Sequence, residues 1–435
     1  MGSQKTNLKK IKIEELKVGM FIEDLDRSWF KHPFLTNKKR ITSREQIEKL
    51  EAYGILEVYI DPKKGLDFPQ DLTIPEEPAF SSEEIVGRIE QKQDTSQPPS
   101  LPQEIPLEKE LGPARIVQQE AHTIIRDVMQ DVRLGKNVES EKVKYVVSRM
   151  IESIFRNRDA LASLTRIKEY DDYTFVHSIN VCILCLTLGR HLNFHPEELQ
   201  QIGIGALLHD AGKMKVPLQI LNKPGKVTEE EFFEIKKHPL YSMEVLEKAG
   251  GIPEASKQIA LQHHERYNGR GYPYNLQGEE ISKFGQISAI VDVYDAITSD
   301  RVYKKALSPY EGMQKIYDWA KIDFNQTLVE RFIQCVGIYP IGTFALLDTG
   351  EMGVVSSINH EKLLRPNIHL IYQNFKNRYP QPIVVDLMEK SGDSQEFKRT
   401  IITPLDPTSW NIQVDDYLPS PKNDLKEGVP KEGIA

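Results

Sequence analysis

The sequence predicts a mainly α-helical protein with a small α+β module at one end and a small β extension at the other. Three observations lead there. Apolar residues recur at helical spacing from about 114 to 338, they alternate with a period of two before and after that stretch, and a proline-rich segment precedes the helices. A chain of 435 residues is also more than one core usually fills, so several domains are expected.

In chain order, residues 11–13, 18–22 and 57–60 read as strands, and Ser43-Arg44-Glu45-Gln46 has the form of a capping-box start for a helix through Ile47 and Leu50. These make the first module, 8–73. From 74 to 113, seven prolines punctuate a Glu/Gln/Ser-rich stretch that reads as a linker, with a short helix at 82–91. The helical domain, 114–338, opens with Val117, Ala121, Ile124, Ile125 and Val128 on one helix and Val143, Val146, Val147, Met150 and Ile151 on the next. Further helices are predicted over 197–211, 229–237, 240–249, 254–267, 283–298 and 309–319. Beyond Pro340, residues 343–347, 353–355, 368–371 and 382–385 are strand candidates between Gly/Asn/Pro turns. They form a β extension, 339–418, expected to pack on the helical domain, followed by a mobile Pro/Lys/Glu/Gly-rich tail, 419–435.

Composition narrows the function classes. The chain is 39% hydrophobic and 28% charged, as in a soluble globular protein, and its net charge of -8 leaves no basic footprint for a nucleic-acid polymer. A small anionic ligand needs only a local basic patch. The three cysteines, Cys182, Cys185 and Cys335, form an odd, low count that points to a reducing cytoplasm. Cys182 and Cys185 have CxxC spacing but lie in an apolar helical run, where core thiols are expected. No run approaches the ~20 apolar residues that span a bilayer, and the first residues lack the apolar core of a signal peptide.

The chemistry lies in seven candidate ligands: His177, His209, Asp210, His238, His263, His264 and Asp292. Five of the 11 histidines belong to this set. Each stands on or at the end of a predicted helix, where packing can fix its direction. Neutral imidazoles and carboxylates suit iron, manganese, nickel or zinc. Consecutive helical side chains diverge by about 100°, so adjacent ligands rarely serve one ion in the same direction. An Asp carboxylate has two oxygens and can bridge two ions while its His neighbour binds one. A lone buried histidine is usually a hydrogen-bonded core residue. Seven candidates in succession within one helical domain are a different matter, and a two-metal site for phosphoryl displacement is the expectation.

These residues resemble the HD-GYP family, a branch of the HD-domain metal phosphohydrolases. The likeness rests on Tyr173-Thr174-Phe175-Val176-His177-Ser178, Leu208-His209-Asp210-Ala211-Gly212-Lys213, His238-Pro239, the run from His263 to Pro273 with Gly271-Tyr272-Pro273 intact, and the run from Asp292 to Arg301. It spans roughly 138–337 and implies an HD-type all-helical catalytic domain. The first module looks like a small domain of unknown function that often precedes such domains in bacteria.

The resemblance implies hydrolysis of cyclic di-GMP, a bacterial second messenger, to linear pGpG and often on to GMP, by attack of a metal-bridging hydroxide. It assigns His177 to one metal, His209 and Asp210 to the central pair, and His238, His263 and His264 to the second metal, with Asp292 closing the site. Some members carry a glutamate four positions before the first histidine, supporting a third metal. Tyr173 stands there in this chain, and neighbouring Asp172 would point elsewhere on a helix. Two divalent transition-metal ions are therefore expected, iron or manganese first, with nickel or zinc as alternatives.

Lys213 fits a helix-terminal lysine favourable to the dipole, and the resemblance favours a catalytic contact with the scissile phosphate. Arg301 and Lys304, otherwise a solvated charge run, become substrate-phosphate ligands. Asn268-Gly269 is expected to end the helix carrying His263 and His264. The Gly271-Tyr272-Pro273 turn then shapes the substrate site, with Tyr272 beside the ligand, and in the family also meets protein partners. The expected partner is cyclic di-GMP, with neither a membrane nor a nucleic-acid polymer involved, and homodimerisation through the helices before Arg158 is a further expectation. Two other functions stay open: hydrolysis of another cyclic dinucleotide such as 3'3'-cGAMP, or a sensor that binds cyclic di-GMP without cleaving it.

Overall fold

The computed structural model describes residues 8–24, 39–41, 44–52, 57–61, 82–91, 104–165, 173–221, 223, 225–299, 306–392 and 396–418. They group into two compact units, one of 1–78 with 339–417 and the other chiefly of 79–338.

In the first unit, β1 (Lys9–Lys12), β2 (Phe21–Asp24), β3 (Lys39–Arg40) and β4 (Glu57–Ile60) form a sheet in the order β1-β4-β2-β3, with α1 (Arg44–Ala52) between β3 and β4. Alternation places Ile22, Val58 and Ile60 in its core. Ser43, read as the cap of α1, lies outside the described residues. The C-terminal strands β5 (Phe344–Leu347), β6 (Met352–Ser357), β7 (Asn367–Tyr372), β8 (Arg378–Asp386) and β9 (Ile401–Pro404) make an antiparallel sheet in the order β8-β7-β6-β5-β9. The sequence reading placed these strands in an extension beside the helical domain. They share a unit with the N-terminal module, where Arg40 feels the charge of Asp348. Strand β9 was missed because four residues ending in proline carry little periodicity.

The second unit is helical. The short helix expected in the linker is present as α2 (Ser82–Gln91). The break placed at Pro113 is not there: α3 runs from Leu107 to Arg133 with Pro113 inside it. A proline this early removes one backbone hydrogen bond. An ion pair on a buried carboxylate anchors the same turns, because Glu110 accepts from Ser153 Oγ at 2.6 Å and from Arg156 Nε and Nη2, both at 2.8 Å. Helices α4 (Ser140–Arg156) and α5 (Arg158–Leu164) pack with α3, and all three meet α6 (Tyr173–His191). Buried Ile179, Val181, Ile183 and Leu186 make α6 apolar on nearly every side, so it sits centrally, against α7 (Pro196–Leu208) and α12 (Lys283–Thr298). Between these lie a 3-10 turn (Ala211–Lys215), α8 (Leu218–Leu221), α9 (Glu229–Ile235), α10 (His238–Ala249) and α11 (Glu254–Gln262). Helices α13 (Pro309–Trp319) and α14 (Gln326–Val336) complete the unit. Cys182, Cys185 and Cys335 are buried and free, as the apolar setting of the CxxC predicts. No helix among the described residues is long and apolar enough to cross a membrane.

Candidate metal centre

Five elements deliver the seven candidate ligands to one buried place. His177 projects from α6 and Asp292 from α12, while His238 opens α10. His209 caps the C-terminal end of α7, and Asp210 follows with φ -99° and ψ 7°, outside helical geometry. The chain therefore turns at the His-Asp pair, which frees both side chains from the helical 100° divergence. The predicted helix to Tyr267 is corrected here: α11 ends at Gln262, His263 is its C-cap and His264 lies beyond. Two local contacts stop the helix. The buried Glu265 carboxylate accepts from the backbone N–H of Tyr274 at 2.7 Å and of Leu276 at 3.0 Å, drawing the following loop back over the histidines. A Cβ on Gly271 would stand 2.3 Å from Glu265 Cα, so this close approach requires glycine.

A similar approach fixes His238. A Cβ on Gly212 would meet the His238 carbonyl oxygen at 2.1 Å. Ser242 Oγ accepts from Gly212 N at 2.8 Å and donates to His209 O at 2.7 Å, so α10 is fastened to the turn that carries His209 and Asp210.

Asp210 stands at the centre. Its Oδ1 lies 3.3 Å from His238 Nε2 and 3.7 Å from His263 Nε2, and its Oδ2 lies 3.3 Å from His209 Nε2 and 3.8 Å from His177 Nε2. One carboxylate thus faces two imidazole pairs, one pair per oxygen. Asp292 Oδ1 sits 3.0 Å from His177 Nε2 and 3.7 Å from His209 Nε2, and its Oδ2 lies 3.9 Å from His264 Nδ1. Three groups have donor atoms within 4.8 Å of one another: His238, His263 and His264; His177, His209 and Asp292; and His209, Asp210 and His263.

The outer ring nitrogens set the inner ones. Nδ1 of His209, His238 and His263 each donate to the carbonyl three residues earlier, on Ala206, Ile235 and Ala260, at 2.7, 2.7 and 2.9 Å. That commits the Nδ1 proton and turns each Nε2 inward, as a lone pair where the ring is neutral, as in His238 and His263. Nε2 of His238 and His263 then face each other at 3.2 Å, two acceptors that a shared cation reconciles. His209 Nε2 and Asp210 Oδ1 are buried without a hydrogen-bond partner. Buried orphan acceptors of this kind fit a metal site, so the donor set suits divalent metal ions.

Electrostatics agree. Burial holds His238 below the ordinary histidine value and, with the neighbouring imidazoles, holds His263 and His264 well below it, which favours the neutral ring in all three. Burial opposes charge on His177 and His209, yet the surrounding carboxylates outweigh it, raising His177 and pushing His209 up to about 10. Burial likewise opposes charge on Asp210 and Asp292, but the adjacent histidines, and Lys213 beside Asp210, hold both well below the usual carboxylate range.

Of the remaining candidates, Lys213 Nζ contacts Asp210 Oδ2 at 2.5 Å. Tyr272 stacks on His264 with ring centroids 4.7 Å apart and planes 28° apart. Arg301, Lys304, Asp172 and the side chain of Tyr173 lie outside the described residues. Sequence reasoning missed Asp295, whose Oδ2 lies 2.7 Å from His177 Nδ1 while its Oδ1 accepts from Asn180 Nδ2 at 3.0 Å. Its position one helical turn after Asp292 was the available signal. Ser242 and Glu265 were also missed, since their work is with distant backbone.

Comparison with known proteins accords with this geometry. Residues 148–328 match the HD domain, 8–143 match a domain of unknown function (DUF3391), and 344–392 match a KOW domain associated with the HD domain. A cyclic di-GMP phosphodiesterase of Pseudomonas aeruginosa is 33% identical over 416 residues, covering 94% of this chain and 95% of its own. The chain belongs to the HD-GYP family. Shorter matches include a cyclic di-GMP phosphodiesterase response regulator of Xanthomonas campestris, 37% identical over 37% of this chain and 43% of that protein. A 3'3'-cGAMP-specific phosphodiesterase of Vibrio cholerae is 38% identical over 32% of each chain. The C-terminal sheet thus matches a domain that accompanies HD domains.

Proposed function

We propose that the protein is a metal-dependent phosphodiesterase that hydrolyses cyclic di-GMP to linear pGpG and onward to GMP. The observation that carries this is Asp210, whose two oxygens each face a histidine pair, in a chain that aligns over nearly its whole length with a cyclic di-GMP phosphodiesterase. His177, His209 and Asp292 would hold one divalent ion, His238, His263 and His264 the other, with Asp210 between them. Two such ions would supply a water nucleophile of lowered pKa and neutralise the phosphate under attack.

The chain's own residues do the rest. Asp295 holds Nδ1 of His177 so that Nε2 keeps its direction. Lys213, bonded to Asp210, is placed to turn its ammonium to a phosphate oxygen or to protonate the leaving oxygen. Tyr272, flat against His264, closes one wall and excludes water from that side. Arg301 and Lys304 are assigned to substrate phosphate. Iron or manganese fits the mixed imidazole and carboxylate donors best, and the reaction belongs to cytoplasmic bacterial signalling.

The protein loaded with iron or manganese should convert cyclic di-GMP to pGpG and GMP, resolved by chromatography. The relatives specific for 3'3'-cGAMP favour one second reading, in which that mixed dinucleotide is the substrate. Side-by-side kcat/KM values decide between them. Tight binding of cyclic di-GMP without product from either compound would overturn both in favour of a sensor.

A further inference from the structure

We infer that Lys236, with the ring of Phe232 beside it, forms a subsite for the second, non-scissile phosphate of a cyclic dinucleotide. The inference rests on the reading of the site as a cyclic-dinucleotide phosphodiesterase.

Four lysines around the centre are each matched to a carboxylate: Lys213 to Asp210, Lys215 to Glu244, Lys223 to Glu231 and Lys237 to Glu234. Lys236, half-buried just after α9, is placed differently. Its Nζ lies 4.9 Å from the ring centroid of Phe232 and 5.3 Å from that of Tyr272. Aromatic faces steady an ammonium without neutralising it or using its N–H donors. The adjacent Glu234 is occupied, accepting from Lys237 Nζ at 2.5 Å and from Tyr241 Oη at 2.8 Å. The Lys236 amine is therefore steadied between rings, with no contact to a carboxylate among the described residues.

That place is tied to the metal centre through two stacked rings. His264 carries Tyr272 at 4.7 Å, and Tyr272 carries Lys236. A cyclic dinucleotide has two phosphodiesters on one rigid ring. The diester under attack would meet the ions and Lys213, leaving the other anion at the rim, where an ammonium is needed. Phe232 is 47% exposed and Phe233 65%, so α9 also offers aromatic faces to water where a purine could stack. A simple diester with one phosphate would reach the ions and leave this subsite unused.

The test compares cyclic di-GMP with bis(p-nitrophenyl) phosphate on the metal-loaded full chain, as wild type, Lys236→Met and Lys236→Arg. Losing a charge-assisted contact to phosphate should raise KM for cyclic di-GMP about tenfold or more. The ratio of kcat/KM for cyclic di-GMP over the simple diester should fall by a similar factor, and Lys236→Arg should recover most of it. An equal loss on both substrates would mean that Lys236 merely supports Tyr272 and would overturn the inference, as would an unchanged ratio. Failure of the wild type to cleave cyclic di-GMP would instead overturn the parent reading and the subsite with it.

Discussion

At the scale of single residues, the site turns on where protons and lone pairs point. Three imidazoles have Nδ1 committed to backbone carbonyls, and His177 has it committed to Asp295. Substitution Asp295→Asn should lower metal affinity about 10- to 100-fold, the usual loss for such an outer partner, while the fold persists. Equilibrium dialysis with circular dichroism checks this, and unchanged affinity would remove Asp295 from the site. The raised histidines give a second prediction. His209, pushed up to about 10, and His177, also raised, hold protons at neutral pH that an incoming cation must displace. Metal affinity should therefore rise with pH from 6 to 8, with protons released on binding. Calorimetry in buffers of different ionisation enthalpy measures the release, and a flat or falling affinity would contradict it. The seven candidates that the fold gathers were legible as a cluster, because His and Asp at helix ends need no partner to stand out in a sequence. Asp295 was not, since its meaning depends on His177, over a hundred residues earlier.

At the scale of elements, two glycines let backbones meet. Gly212 admits the start of α10, and Gly271 admits the loop over Glu265. Gly212→Ala should push α10 away from the His209–Asp210 turn, costing about 1–3 kcal/mol by overpacking and misplacing His238. A lower thermal midpoint together with lower metal content is the expected result; full metal content would show that the turn can yield. Helix positions followed well from periodicity: α12 and α13 have their predicted limits of 283–298 and 309–319. Their termini depended on more than pattern. The predicted helix to Tyr267 ignored Glu265, whose carboxylate serves the loop instead of a helix surface. The predicted break at Pro113 ignored Glu110, whose partners lie on another helix.

At the scale of the whole molecule, the sequence distinguishes three kinds of segment but not their grouping. The C-terminal strands share a compact unit with the N-terminal sheet, some three hundred residues away in the chain, and no local pattern announces such a pairing. A chain ending at 338 should therefore show faster amide exchange in β1, β2 and β4, while α6, α7 and α12 stay protected. Unchanged protection in the three strands would show that the first module is self-sufficient. The helical unit contains all seven candidate ligands, and the chief claim made for them is tested there. That claim is two ions bridged by Asp210, and metal analysis coupled to a cyclic di-GMP product assay on wild type and Asp210→Ala addresses it directly. Two ions per chain with turnover are expected in the wild type, and loss of turnover with at most one ion in the variant. Undiminished turnover by Asp210→Ala, or a fully active wild type holding a single ion, would contradict it.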